Sequence, residues 1–251
     1  MAKRPAPKRR PRVSPEASDR TRTEWLRRVE AEYRSAAFTQ HLVLWLIQTG
    51  ASPDLIRDGL RIVNDEMVHA ELSHAVYGAA GGRELPHIDR ATLALGRHDR
   101  EPLEHDVLRY GVDLFCLGET VAVRLFKELR AKCVVPEARK ALDRILRDEV
   151  RHRDFGWALL DWLAESALGP KLTALAEREL PKMFARIRGA YAPWAARDEQ
   201  LIPDADRAWG LMPAGWYARI LDETLARDYV PRFRRHGIDA RRAWAASMTL
   251  V

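Results

Sequence analysis

Two five-residue stretches concentrate the metal-ligating side chains of this chain: Asp65-Glu66-Met67-Val68-His69 and Asp148-Glu149-Val150-Arg151-His152. Each reads D-E-x-x-H. On an α-helix, a Glu and a His three residues apart share one face, about a turn apart. Carboxylate oxygens with one imidazole nitrogen per metal suit iron or manganese. One E-x-x-H alone is as easily a solvated polar face. Two of them, with a bridging Glu from each of two more helices, make a dinuclear site inside a bundle. The zinc arrangement H-E-x-x-H does not occur in the chain.

The elements that would hold these residues follow from periodicity. A first helix is expected over about 19–49, with Trp25, Val29, Glu32, Ala36, Val43 and Ile47 on one stripe. Glu32 is its inward acid. Gly50 ends it, and Ser52-Pro53-Asp54 gives the next helix an N-cap, a proline in the first turn and an early acid. The second helix, about 53–78, aligns Leu55, Gly59, Ile62, Glu66, His69, Ser73 and Val76. The weakly periodic stretch 79–102 is long enough to cross from one end of a bundle to the other.

A third helix, about 103–133, surrounds Glu119 with Val112, Phe115, Cys116, Ala122, Val123 and Phe126. Glu119 is therefore expected to be the clearest buried carboxylate. Burying an unpaired carboxylate costs on the order of several kcal/mol, and metal coordination removes that cost. A fourth helix, from Pro136 to about Leu168, turns Leu142, Ile145, Glu149, His152 and Gly156 inward. A fifth, about 171–189, carries Glu179 among Leu172, Leu175 and Met183, a carboxylate that could serve as an extra ligand. Residues 192–213 read as irregular, followed by a helix from Pro213 to about Asp228 that ends before Pro231, and a short last one over 239–248. Trp194, Trp209, Trp216, Tyr217, Tyr229 and Trp244 make this third of the chain aromatic, so it is expected to pack as a cap or as a homodimer contact.

Spacing supplies a test of depth. In an antiparallel hairpin, residues equidistant from the turn lie at one level. Glu32 and His69 are symmetric about Gly50–Ala51, and Glu119 and His152 about Val135–Pro136. Both centres fall on turns placed independently. Glu66 and Glu149 are separated by the same interval as His69 and His152, a weak internal repeat that puts all six residues in one layer.

The pattern E…D-E-x-x-H…E…D-E-x-x-H, over about Glu24 to Glu165, resembles the ferritin-like superfamily of di-iron carboxylate proteins. The resemblance implies an all-α fold. A ferritin-like four-helix bundle with a long crossover would occupy 19–168, a cap of additional C-terminal helices 169–251, and a disordered basic tail 1–18. It implies Glu32, Glu66, His69, Glu119, Glu149 and His152 as ligands to two iron ions, or to manganese or a mixed Fe/Mn pair, with O2 as co-substrate. Asp65 and Asp148 are expected to accept the outer N–H of a ligand histidine, each from the opposite hairpin. Phe115, Cys116 and Ala36 are candidates for lining a substrate pocket, with core packing as the alternative. Ser35 and Thr39 are small residues near Glu32, which suits a cavity or close helix packing.

Within that superfamily, an O2-activating oxidase or oxygenase (a monooxygenase, for example) is the first expectation. It would take a small organic substrate and an external electron donor. The aromatic C-terminal region favours it, because an iron-storage bundle needs no such addition. Ferroxidase, iron-handling or peroxide-scavenging chemistry is the alternative, and a tRNA-modifying hydroxylase the second. The formal net charge is +6, and Lys3, Arg4, Lys8, Arg9, Arg10 and Arg12 all precede the first acid, Glu16. The body is thus near neutral, which argues against a nucleic-acid partner. The tail lacks the apolar core of a secretory signal, no apolar run is long enough to span a bilayer, and the two cysteines have no metal or redox spacing. A soluble, cytoplasmic protein is expected.

Overall fold

A computed structural model describes residues 15–195 and 202–250. Among these residues every regular element is helical. Helix α1, Asp19–Gln48, starts at Ser18, whose side chain accepts from the Thr21 amide, and ends before Gly50 at φ +71°, the left-handed value that favours glycine. Helix α2, Pro53–Ala79, starts at the Ser52 cap. The two pack as a hairpin, with Leu55, Gly59, Ile62, Glu66, His69, Ser73 and Val76 all buried. Of the α1 stripe, Ile47 is not inside: it is 54 % exposed, and Leu46 takes the inner position in the last turn.

The crossover over 80–102 contains one 3-10 turn, Arg90–Thr92, and is tied across α1. Glu30 accepts from the His87 amide (3.1 Å) and His41 from the Leu95 amide (2.9 Å). Its far end is fixed by Asp106, a fully buried side chain that accepts from Arg97 (2.6 Å), the His98 amide (2.9 Å), the His98 ring (2.6 Å) and Arg109 (3.1 Å).

Helix α3 covers 103–131 in three parts: α-helical Leu103–Tyr110, π-helical Gly111–Glu119 and α-helical Thr120–Ala131. The π-segment was not foreseen. Its wider turn resets the phase of the helix. Beyond it the buried residues are Thr120, Val121, Leu125 and Leu129, whereas Ala122, Val123 and Phe126 are only partly covered. Helix α4, Pro136–Glu165, runs back along α3 and also packs on α2. Its Gly156 meets the π-segment: a Cβ there would lie 2.5 Å from Phe115 Cβ and 2.8 Å from the Cys116 nitrogen.

The C-terminal third is helical as well. Helix α5 is Gly169–Ala195, α6 Asp204–Ala208 and α8 Ala240–Ser247. Helix α7 covers 215–234 as Gly215–Thr224, a π-turn Leu225–Tyr229, and Val230–Arg234. The expected stop before Pro231 does not occur. A proline clashes with the carbonyl four residues back, and the widened π-turn displaces that carbonyl. Phe184, Tyr229, Phe233 and Trp244 pack as one aromatic cluster, and Phe233 also meets Trp157 of α4 edge-on. Residues 206–211 lie against the start of α1. Asp206 accepts from Ser18 (2.6 Å) and Thr21 (3.0 Å), and the Trp209 carbonyl from Trp25 (3.0 Å).

Of the expected tail, residues 1–14 lie outside the described residues. Residues 15–18 are packed: Ala17 is buried, and the Pro15 carbonyl accepts from the Trp209 ring (2.9 Å). Part of the expected irregular stretch (196–201) and the Trp194 side chain also lie outside the described residues. No described helix is long and apolar enough to cross a membrane.

Candidate metal centre

Helices α1, α2, α3 and α4 bring the six Glu and His residues into two adjoining groups. Glu32, His69 and Glu149 form one, and Glu66, Glu119 and His152 the other. Within each group one ligand atom per residue lies within 4.8 Å of the others. Each group therefore takes its imidazole from one D-E-x-x-H motif and a carboxylate from the other. The two rings lie 5.7 Å apart, centroid to centroid.

The carboxylates that span both groups are those of the motifs. Glu66 places Oε2 3.6 Å from His69 Nδ1 and Oε1 3.4 Å from His152 Nδ1. Glu149 places Oε1 3.9 Å from His69 Nδ1 and Oε2 3.8 Å from His152 Nδ1. Glu32 stands beside His69 alone (3.9 Å), and Glu119 belongs to the His152 group. Of the four glutamates, the two from the D-E-x-x-H motifs are the ones that stand near both imidazoles. A motif glutamate lies at the contact between α2 and α4 and faces both imidazoles. Glu119 also differs from expectation in burial: it is only partly covered, whereas Glu32, Glu66 and Glu149 are buried. It stands at the end of the π-segment, where the phase shift has begun to turn the stripe.

The interior of the layer leaves several donor atoms without partners. Glu66 Oε2, Glu149 Oε2, His69 Nδ1 and His152 Nδ1 are buried and have no hydrogen-bond partner among the described residues. Orphaned buried polar atoms are rare in folded proteins, and each costs about 1–3 kcal/mol. Here four orphans face one another. Burial, reinforced by Glu66, pushes the Glu32 carboxyl well above the ordinary range; burial and the neighbouring Glu119 do the same for Glu149, and burial raises Glu119. Burial acts to raise Glu66 too, but the His152 and His69 rings outweigh it and hold that carboxyl low. Burial opposes charge on His152, yet Asp65 and Glu66 push its pKa up to about 10. Carboxylates crowded against imidazoles in a water-poor layer are a donor set that divalent ions satisfy, an ion displacing the proton that the His152 ring otherwise holds.

Behind the rings lies a charge lattice. His69 Nε2 is 3.2 Å from Asp148, and His152 Nε2 is 3.5 Å from Asp65. Each aspartate serves the histidine of the opposite hairpin. In the neutral ring a carboxylate on Nε2 favours the tautomer with the proton there, which would turn the Nδ1 lone pair to the centre for an ion to bind. Arg151 Nη2 donates to Asp65 (2.7 Å) and Asp148 (2.8 Å). Arg144 also bonds both, reaching Asp65 at 3.0 Å. Burial acts to raise the two aspartates, but the His and Arg partners outweigh it and hold both carboxyls below the ordinary range.

The arginines were missed from sequence because surface arginines at helical spacing are unremarkable. The available signal was that Arg144 and Arg151 flank Asp148 by one turn on each side. The sequence marks Ser35 only as a small residue; its hydroxyl donates to Glu66 Oε1 (3.0 Å). Tyr229 was placed in a cap, yet its hydroxyl donates to the Leu117 carbonyl (2.7 Å) inside the π-segment, two residues before Glu119.

Cys116 donates its thiol to the Gly156 carbonyl (3.2 Å), and burial raises its pKa beyond the range in which it ionises in water. Phe115 stacks edge-on with Phe155, and Ala36 is buried in α1. Glu179 stands apart from both groups, beside Arg178 (3.6 Å) and Lys182 (3.7 Å) on α5. Against protein-family models and curated protein sequences, the chain has no match. The two adjoining Glu/His groups are consistent with a dinuclear metal centre in an all-α protein.

Proposed function

We propose that the protein is a non-haem oxidoreductase holding two iron ions, or an Fe/Mn pair, that uses O2 to oxidise or oxygenate a small organic molecule. The observation that carries this reading is the set of four buried, unpartnered donor atoms shared between two Glu/His groups. His69, Glu32 and Glu149 would hold one ion and His152, Glu119 and Glu66 the other, with Glu66 and Glu149 spanning both. The four carboxylates would offset the charge of two divalent ions, which would relieve the burial cost and the like-charge repulsion that raise Glu32, Glu119 and Glu149. When bound, a ferrous pair supplies the electrons that reduce O2.

The chain's own residues set the conditions. Asp65 and Asp148 fix the ring tautomers, and Arg144 and Arg151 balance those aspartates so that the outer shell adds no net negative charge. Ser35 orients Glu66. Ile145 and Phe155, buried one turn before Glu149 and one turn after His152 on α4, help to exclude water. Glu119, at the end of the π-segment, is the one glutamate of the four that is only partly covered.

The test is anaerobic Fe(II) loading followed by O2. The reading expects two irons per chain that stay bound and O2 uptake sustained by an added reductant. Iron accumulating far beyond two per chain, in a cage-sized particle, would support iron storage instead.

A further inference from the structure

The C-terminal cap grips α3 at two points, one on each side of Glu119. Before Glu119, the fully buried Tyr229 donates its hydroxyl to the Leu117 carbonyl (2.7 Å). After Glu119, Arg124 donates Nε to Asp228 (2.7 Å). The two cap residues are neighbours in one π-turn of α7, Leu225–Tyr229. Side chains one residue apart diverge by about 100° on an α-helix. A wider turn narrows that angle, so that both reach α3.

The Leu117 carbonyl also accepts from the Thr120 amide, so the Tyr229 hydroxyl takes its second lone pair. A π-helix is rare, and its persistence over Gly111–Glu119 calls for contacts from outside the helix. Helix α4 supplies one at the far side of Glu119, where Trp157 donates its ring N–H to the Thr120 hydroxyl (3.0 Å). Helix α7 supplies the other through Tyr229. With less packing around it than the three buried glutamates have, Glu119 depends more on where the backbone puts it.

We propose that Tyr229 is a positioning residue for the metal centre. Through the Leu117 carbonyl it holds the end of the π-segment in the phase that turns Glu119 towards Glu66 and His152, with Arg124 and Asp228 as a second brace. The inference rests on the metal reading above. It adds that the ion beside His152 depends on the cap, whereas the ion beside His69 does not.

Tyr229→Phe removes the hydroxyl and keeps the ring that packs on Phe184. Trp244→Leu is the control for stability, because it loosens the cap where α8 packs on α5 and α7. Crystals of the native chain and both variants, equilibrated without oxygen at a limiting Co(II) concentration, give the occupancy of each position from anomalous difference maps. The visible absorption of the bound Co(II) reports its ligand geometry. In Tyr229→Phe the ion beside His152 should bind about tenfold more weakly, on the scale of one hydrogen bond, with its absorption band shifted. The ion beside His69 should bind as in the native chain. Trp244→Leu should lower Tm and leave both ions and both bands unchanged. The proposal is overturned if Tyr229→Phe binds both ions as the native chain does, if it weakens both equally, or if Trp244→Leu gives the same selective loss. A native chain that takes up no ion pair would refute the metal reading itself, and this proposal with it.

Discussion

Gly156→Ala is the substitution through which packing should reach the centre. Gly156 lies one turn beyond His152 on α4, against the backbone of the π-segment that ends at Glu119. A methyl group there would sit 2.5 Å from Phe115 Cβ, 2.7 Å from the Phe115 carbonyl carbon and 2.8 Å from the Cys116 nitrogen. Non-bonded carbon atoms settle at about 3.5–4.0 Å, so α3 and α4 must part by about 1 Å. These neighbours are main chain and a Cβ, which cannot swing aside as a side-chain tip can. Overpacking of this kind costs about 1–3 kcal/mol, against a gain of about 0.5–1 kcal/mol from replacing a helical glycine.

The net loss, about 1–2 kcal/mol, corresponds to a fall of roughly 2–8 °C in Tm at this chain length. The same displacement carries Glu119 away from Glu66 and His152. Thermal melting of the metal-free variant and anaerobic Fe(II) titration read the two effects. Gly189→Ala on α5 is the control, because a Cβ there meets nothing within 4 Å; it should leave Tm level or slightly higher. If Gly156→Ala melts at or above the native temperature and takes up iron as the native chain does, the close contact of α4 with the π-segment is not what positions Glu119.

Three further predictions follow from particular contacts. Asp148→Asn removes the carboxylate behind His69 and should weaken the ion at Glu32, His69 and Glu149 by about 10–100-fold, with the second ion less affected; equal loss of both in a metal titration would contradict the pairing. Asp106→Asn should destabilise the chain by about 2 kcal/mol at pH 7, because the buried carboxylate accepts charged hydrogen bonds from both sides of the crossover. Burial acts to raise Asp106, but the His98 amide, Arg97 and Arg109 outweigh it and hold its pKa below the ordinary range. Its contribution is therefore present above about pH 4, the unfolded value, and lost as pH falls through the folded one. The penalty should shrink towards pH 3, and the same penalty at both pH values would refute the assignment. Cys116 and Cys133 are fully buried, and burial pushes the Cys133 thiol up to about 11, so a thiol reagent should label both only on unfolding; rapid labelling of the folded protein would show the core to be open there.

The hairpins were legible because their signals are local. Gly50, Ser52-Pro53 and Pro136 punctuate the chain, and the stripes through Glu32, Glu66 and Glu149 keep a strict helical period. Depth symmetry about each turn then placed Glu32 with His69 and Glu119 with His152. The phase of α3 past Gly111 was not legible, since a π-segment is set by how Gly156 of α4 and Tyr229 of α7 meet it, and these are distant in sequence. The passage of α7 through Pro231 failed for the same reason: a local rule was overridden by a widened turn. The spanning role of Glu66 and Glu149 depends on α2 and α4 being neighbours, which periodicity alone does not state. Arg144 and Arg151 looked like solvated charges until the two aspartates they join were seen to lie together.

The central claim is that two metal ions lie between His69 and His152. An anomalous difference map from crystals loaded anaerobically with Fe(II) tests it most directly. Two peaks are expected, one beside Nδ1 of each histidine, with the carboxylates of Glu66 and Glu149 spanning them. A single peak, or none in this layer at full loading, would contradict the account.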